Sequence, residues 1–312
     1  MEQDANGILD QPVFIVGAGR SGTTWLQRLM LANPAVCGGP ESNFFSCFAP
    51  ALRSFHKGVN VPRHPGLANF WTLDAFREEL RGLWRKTMRP IVDTAPGARI
   101  LLEKTPSHAL WMAEIDELLP RCRFIHLIRD SRAVVASNLA AGREWGGAWA
   151  PKATRDAAIS WYRHVRAARD YGAKLDPSRY VELRYEDLHG DPAARVRAVY
   201  DFIGLPMPRA DVERIVSEQA FDRQKEIGGT PFTRAGDLAA TGADVDKEPA
   251  GFFRQGTCDG WKKELPLRQQ IVVWHYTRKL MRECGYGWRG VCAESAPATA
   301  ARLNNAAAPA LQ

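Results

Sequence analysis

Four short apolar runs recur along the chain: residues 13–16, 99–102, 123–128 and 180–184. Each is strand-like in length, and the third is almost continuously apolar, as expected of a parallel strand covered on both faces. Helical periodicity follows each run, over residues 23 to about 32, about 109 to 119, 132 to about 141, and 193 to about 203. Further helices are predicted from 73 to about 88, 154 to about 171, and 266 to 284, the first of them with a basic face. Asn33-Pro34 ends the first helix, because proline cannot continue it and restricts the residue before it. Four strand–helix alternations predict an α/β fold, an open parallel sheet with ligands at the C-terminal strand ends. Residues 1–11 are expected as a loose leader and 35–70 as an irregular loop bearing aromatic residues. Residues 222–251 are expected as a polar, mobile loop and 291–312 as an Ala-rich disordered tail, leaving residues 1–290 as one domain.

The first alternation carries the strongest local signal. Val13-Phe-Ile-Val-Gly-Ala-Gly-Arg-Ser-Gly-Thr-Thr-Trp25 runs from a strand through a glycine turn into a helix start. Gly17, Gly19 and Gly22 permit close approach of the backbone to a ligand, and a helix N-terminus offers free N–H groups to an anion. Residues 17–22 spell Gly-x-Gly-x-x-Gly, with Glu41 near the distance of a ribose-binding acid; that acid should end a second strand, and Cys37-Gly-Gly-Pro40 is a poor one. A Walker A loop also fits Gly17 and Gly22, but Thr23 stands where the phosphate-gripping lysine belongs. A third use joins Arg20, Ser21, Thr23 and Thr24, a guanidinium and hydroxyls that hold a terminal phosphate-like group without a metal.

Composition narrows the classes. The 312 residues carry a net charge of +7, with basic residues scattered and no aromatic platform among them, so no nucleic-acid partner is expected. No apolar run is long enough to span a bilayer, and the polar, acidic start does not resemble a signal peptide; neither membrane insertion nor an anchor is expected. Six cysteines lie without metal-type spacing, so no metal site and no disulfide framework is expected, and a cytoplasmic location follows as the default.

The Gly-Arg-Ser-Gly-Thr-Thr-Trp run resembles the 5′-phosphosulfate loop of sulfotransferases that use 3′-phosphoadenosine 5′-phosphosulfate (PAPS). Two more stretches extend the resemblance, which covers residues 13–265. In Phe124-Ile-His-Leu-Ile-Arg-Asp-Ser-Arg-Ala-Val-Val-Ala-Ser-Asn138, Arg129 follows a strand and Ser137 lies eight residues on. In the family the matching arginine and serine hold the 3′-phosphate, which a guanidinium fork reads well. Phe252-Phe-Arg-Gln-Gly-Thr-Cys-Asp-Gly-Trp-Lys-Lys263 resembles the C-terminal phosphate loop, through Arg254 and Gly256. It departs from the pattern at Gln255, where a lysine is usual, and in the order Asp259-Gly260. Trp25, Phe221 and Tyr185 match or lie near positions that meet the adenine nucleotide. Gly22 belongs to the same loop.

Sulfonate transfer needs a base for the acceptor proton and positive charge around the sulfonate. Glu41 resembles the general base of the tyrosylprotein and glycosaminoglycan branches and their soluble bacterial relatives. Lys104, in Glu103-Lys-Thr-Pro106, resembles their catalytic lysine, acting with Arg20. The small-molecule branch uses a histidine two residues after its lysine; Pro106 stands there, which leaves His108 as the rival base. The resemblance implies a P-loop-like sulfotransferase fold, PAPS as donor with 3′-phosphoadenosine 5′-phosphate (PAP) as product, and no metal. The acceptor is a small molecule, a carbohydrate or a tyrosine-bearing chain. Phe44, Phe45, Phe48, Phe55, Phe70 and Trp71 suggest an apolar or ring-bearing acceptor, whereas the basic helix from residue 73 suggests an acidic one. A P-loop kinase or NTPase, or a nucleotide-binding scaffold without chemistry, are the alternatives. Oligomeric state is open.

Overall fold

The side chains of β1 (Val13–Gly17) divide by parity. Val13 and Ile15 enter one apolar cluster, Phe14 and Val16 another. That is the two-residue period of a pleated strand with both faces covered. The structure is a computed structural model that describes residues 7–61, 66–147, 149–220 and 257–291. Helix α1 (Thr23–Leu31) follows β1, and β2 (Val36–Gly38) follows α1. Then come α2 (Phe44–Asn60), α3 (Leu73–Asp93) and β3 (Ile100–Lys104). A 3-10 turn (Pro106–Leu110) leads to α4 (Met112–Leu118) and β4 (Arg123–Ile128). Helices α5 (Ser131–Glu144) and α6 (Thr154–Gly172) precede β5 (Tyr180–Arg184). Helices α7 (Tyr185–Gly190), α8 (Pro192–Phe202), α9 (Arg209–Glu218), α10 (Trp261–Glu264) and α11 (Leu267–Glu283) complete the helical set of the described residues. A short antiparallel hairpin, β6 (Tyr286–Gly287) and β7 (Gly290–Val291), ends them.

β1 to β5 form one parallel sheet in the order β2-β3-β1-β4-β5. Helices α2, α3 and α4 bury their apolar stripes on the face of Phe14, Leu101 and Phe124. Helices α1, α8 and α9 cover the opposite face at Val13, Ile15, Ile125 and Leu183. The connection that leaves β1 runs towards β2 on one side and the connection that leaves its neighbour β4 runs to β5 on the other, so the two diverge between the C-terminal ends of β1 and β4. That is the switch point where an open sheet forms a ligand crevice.

Residues 35–70, expected as irregular, contain β2 and α2. The phenylalanines at 44, 45, 48 and 55, with Ala49 and Leu52, make a helical stripe that Pro50 and Gly58 disguise in the sequence. Residues 7–10 are helical rather than loose. Leu9 is buried, its carbonyl accepts from Trp84 Nε1 at 2.8 Å, and Asp10 pairs with Arg85 at 2.8 Å. The sheet has five strands where four were expected, because β2 is only three residues long. With β2 at the edge and β3 between it and β1, the dinucleotide fingerprint fails on topology: its second strand should adjoin the first. The expected 222–251 loop, and the tail beyond Val291, lie outside the described residues.

Candidate functional site

The loop after β1 is built by backbone geometry that only a few residues tolerate. Gly22 sits at φ +96°, and a Cβ there would lie 2.6 Å from Cδ2 of Tyr185. Arg20 also takes a positive φ, +74°, which is uncommon for a side chain of its size and turns the loop back on itself. No side chain caps α1 and no acid occupies its first turn. Gly22, Thr23 and Thr24 therefore present an open helix N-terminus to a cavity of about 720 Å³, which they help to line. Ser21 is fully buried, and its hydroxyl has no hydrogen-bond partner among the described residues.

Beside this loop, Arg20 donates from Nε to Ser137 Oγ at 3.0 Å, and its guanidinium lies 5.2 Å from the Trp145 ring centre. Arg129, just beyond β4, lies 4.2 Å over the Tyr185 ring. It donates to the carbonyls of Arg20 (3.3 Å) and Thr257 (3.1 Å), while its buried Nε has no partner. Arg132, three residues on, is spent differently. It is fully buried, bonds Asp130 through two nitrogens and holds the carbonyls of Gly287 and Trp288, pinning the C-terminal hairpin. Glu186 accepts from Tyr286 at 2.6 Å and from the Asp130 N–H at 3.1 Å; burial pushes its carboxyl up to about 6.

Across the cavity, Lys104 at the end of β3 donates from Nζ to Glu41 Oε1 at 2.5 Å. The lysine is nearly buried and the glutamate is 43% exposed, so the carboxylate keeps contact with solvent. The neighbours of this pair fix it. Glu103 accepts from Ser42 Oγ (2.7 Å), Thr105 Oγ1 (2.6 Å) and His108 Nδ1 (2.9 Å). Burial works against its charge, but the His108 ring and these hydrogen bonds outweigh it and hold the carboxyl down at about 2.

His108, expected as the rival base, lies in the core and is absent from the cavity lining. Its Nε2 accepts from the Phe45 N–H at 3.2 Å, which assigns the ring proton to Nδ1, facing Glu103. Glu41, Lys104, Arg20, Gly22, Thr23, Thr24, Trp25, Arg129, Ser137 and Tyr185 all line one cavity; Ser21 lies buried beneath it. Trp25 is nearly buried, bonded to the Gln219 carbonyl at 3.1 Å and set edgewise against Tyr185. Burial pushes the Tyr185 phenol up to about 12. Phe221, Arg254 and Gly256 lie outside the described residues.

The aromatics assigned to the acceptor need correction. Phe44, Phe45 and Phe55 are buried in the core, Phe48 packs on it, and Phe70 and Trp71 are exposed away from the cavity. The 145–149 loop, which the sequence offers together with 40–71 and 222–251 as a pocket-shaping segment, does supply Trp145 and Trp149 to the lining, and Trp161, Trp261, Trp25 and Tyr185 complete its aromatic part. Nor does the basic helix contribute: Arg77, Arg81 and Arg85 of α3 are ion-paired with Glu117, Glu78 and Asp10, and α3 does not reach the cavity. Ser107, Asn138, Ser160 and His164 line the cavity without having been singled out. Ser160, Trp161 and His164 share one helical face, but nothing in an ordinary amphipathic helix marks that face as a wall. Among the described residues no group of His, Cys, Asp or Glu could hold a metal ion, and no helix is long and apolar enough to cross a membrane.

An open parallel sheet with a glycine-rich loop at its switch point, where Arg20 and Arg129 line one cavity, defines an α/β protein. Residues 12–209 match the sulfotransferase family, and the chain belongs to it. It is 26% identical over 247 residues to omega-hydroxy-beta-dihydromenaquinone-9 sulfotransferase Stf3 of Mycobacterium tuberculosis, a match covering 64% of this chain and 64% of that protein's length. It is 24% identical over 208 residues to sulfotransferase 1A1 of Rattus norvegicus, covering 64% and 68% of the two chains. The fold is shared with mouse sulfotransferase SULT7A1, solved in complex with PAP, at a TM-score of 0.57 and 14% identity over 90% of each chain.

Proposed function

We propose that this protein transfers a sulfonate group from PAPS to an acceptor hydroxyl or amine, within one domain spanning residues 1–290. The observation that carries this is the pairing of two unlike sites across one cavity. On one side lie an anion loop and an arginine with no carboxylate partner among the described residues; on the other lies a lysine–glutamate pair. The unpartnered Nε of Arg129, a residue that lines the cavity, fits a polyanionic nucleotide, since such a group is costly unless something bonds it.

When bound, PAPS supplies an activated sulfonate on a phosphate leaving group. Arg20, Thr23, Thr24 and the first N–H groups of α1 hold the 5′-phosphosulfate end. Arg129 and Ser137 hold the 3′-phosphate, with Arg254 and Gly256 assigned to close over it. Trp25, Tyr185 and Phe221 are assigned to the adenosine. Glu41 takes the proton of the acceptor as its oxygen or nitrogen bonds to sulfur and the sulfur–oxygen bond to the 5′-phosphate breaks. Lys104 and Arg20 stabilise charge on the sulfonate and the departing phosphate oxygen. The buried, doubly bonded ring of His108 favours Glu41 as the base. The free thiols among the described residues are compatible with a reducing, cytoplasmic setting.

The test is a calorimetric titration without magnesium of PAP against adenosine 5′-phosphate. Tighter binding of PAP supports the assignment; equal binding, or none, removes it. Transfer of label from 35S-PAPS to candidate acceptors then separates an enzyme from a nucleotide-binding scaffold.

A further inference from the structure

We propose that His164 is the residue that orients the acceptor, its Nε2 accepting a hydrogen bond from a second, non-reacting hydroxyl of an acceptor seated between Trp145, Trp149 and Trp161, while the reacting hydroxyl gives its proton to Glu41. This rests on the sulfonate-transfer function proposed above. His164 stands on α6 one turn after Ser160, and both line the cavity. Its Nδ1 lies 2.7 Å from the Ser160 carbonyl oxygen, which can only accept, so the proton sits on Nδ1. Nε2 is thereby left as an acceptor, and it has no hydrogen bond among the described residues. Burial lowers the basicity of the ring, which keeps it neutral at neutral pH.

The surroundings define what meets that lone pair. Trp145 and Trp149 stand with ring centres 5.4 Å apart, and Trp161 is fixed by its Nε1 bond to the Arg129 carbonyl at 2.9 Å. With Pro151 they form an apolar wall; such walls favour flat, uncharged molecules, and the few polar atoms in them set orientation. Trp145 also lies against Arg20, so this wall adjoins the assigned sulfonate position. A densely hydroxylated acceptor would leave hydroxyls unbonded against the tryptophans.

The experiment uses the full chain saturated with PAP and 2,7-dihydroxynaphthalene as probe, with glucosamine as a polar contrast, each titrated by calorimetry. Wild type is expected to bind the dihydroxynaphthalene and not glucosamine. His164→Phe, which keeps a ring and removes the acceptor atom, is expected to weaken the dihydroxynaphthalene about tenfold to a hundredfold. His164→Gln, which restores an acceptor, is expected to recover part of that loss, and neither variant should change PAP affinity. In wild type labelled with 15N-histidine, the His164 Nε2 resonance should move when the dihydroxynaphthalene is added. That measurement holds even where a variant fails to fold. Unchanged dihydroxynaphthalene affinity in folded His164→Phe, an unmoved resonance, or a loss of PAP affinity with the substitution would overturn the assignment. PAP binding without dihydroxynaphthalene binding overturns the acceptor class and leaves the nucleotide assignment standing; absent PAP binding overturns both.

Discussion

Replacing Arg129 with alanine tests the proposed contact with the 3′-phosphate. The guanidinium has one nitrogen unbonded, two on backbone carbonyls at 3.3 and 3.1 Å, and a ring beneath it at 4.2 Å. No carboxylate is in salt-bridge reach among the described residues. Glu186, the acid that senses it, is bonded to Tyr286 and the Asp130 N–H. Its charge is therefore not already spent on a neighbour, as that of Arg132 is on Asp130. A charge-assisted bond to phosphate is worth about 1.5–3 kcal/mol, or roughly a 10- to 150-fold loss of PAP affinity in Arg129→Ala. Adenosine 5′-phosphate lacks the group that Arg129 reads, so its affinity should change by less than about threefold. Loss of the contact with Tyr185 costs about 0.5–2 kcal/mol of fold stability, which is read separately by thermal melting. Calorimetry of the two nucleotides on wild type and variant gives the four affinities. Parallel loss of both, or unchanged PAP binding in a folded variant, would refute the assignment.

Three further outcomes follow from the geometry. Lys104→Ala should lower turnover by about two to three orders of magnitude in a 35S-PAPS transfer assay while PAP affinity holds; turnover within tenfold of wild type would count against a transition-state role. Gly22→Ala forces a side chain into φ +96° and to 2.6 Å from the Tyr185 ring, so it should cost about 2–4 kcal/mol in urea unfolding and weaken PAP. Glu103→Gln keeps a carbonyl oxygen for Ser42 and Thr105 but turns an NH2 towards the Nδ1–H of His108 and removes the charge, and should cost about 2–4 kcal/mol at neutral pH. Because the folded carboxyl is held down at about 2, against an ordinary 4.5, its roughly 3 kcal/mol is present above pH 4.5 and lost as pH falls towards 2. Wild type and variant should therefore converge in stability at acid pH, as followed by circular dichroism.

The anion loop was legible because its requirements are contiguous: glycines, hydroxyls and an arginine must lie within a few residues of a strand end. β4 was legible because a buried parallel strand reads as an apolar run, and β5 because Tyr180, Val181 and Leu183 keep a strand-like pattern around Glu182 and Arg184. Helix α2 was not, because Pro50 interrupts its stripe and its phenylalanines could be assigned equally to a pocket or a core. The motif around Lys104 was read for its lysine, while the adjacent Glu103 takes its role from Ser42, 61 residues away, a relation no local pattern carries. Arg129 and Arg132 sit in one run and differ only in what the fold brings to them. His164 became visible through the cavity alone.

The bond between Ser42 and Glu103 has a consequence for redesign. These two residues are the immediate chain neighbours of Glu41 and Lys104, so that pair is bolted to the sheet from directly behind. Trp145 and Trp149 stand instead on the connection between α5 and α6, away from that bolt. Under the proposed function the molecule has a chassis and a fitting: exchanging the segment that carries Trp145 and Trp149 should change what is accepted and leave the Glu41–Lys104 pair in register.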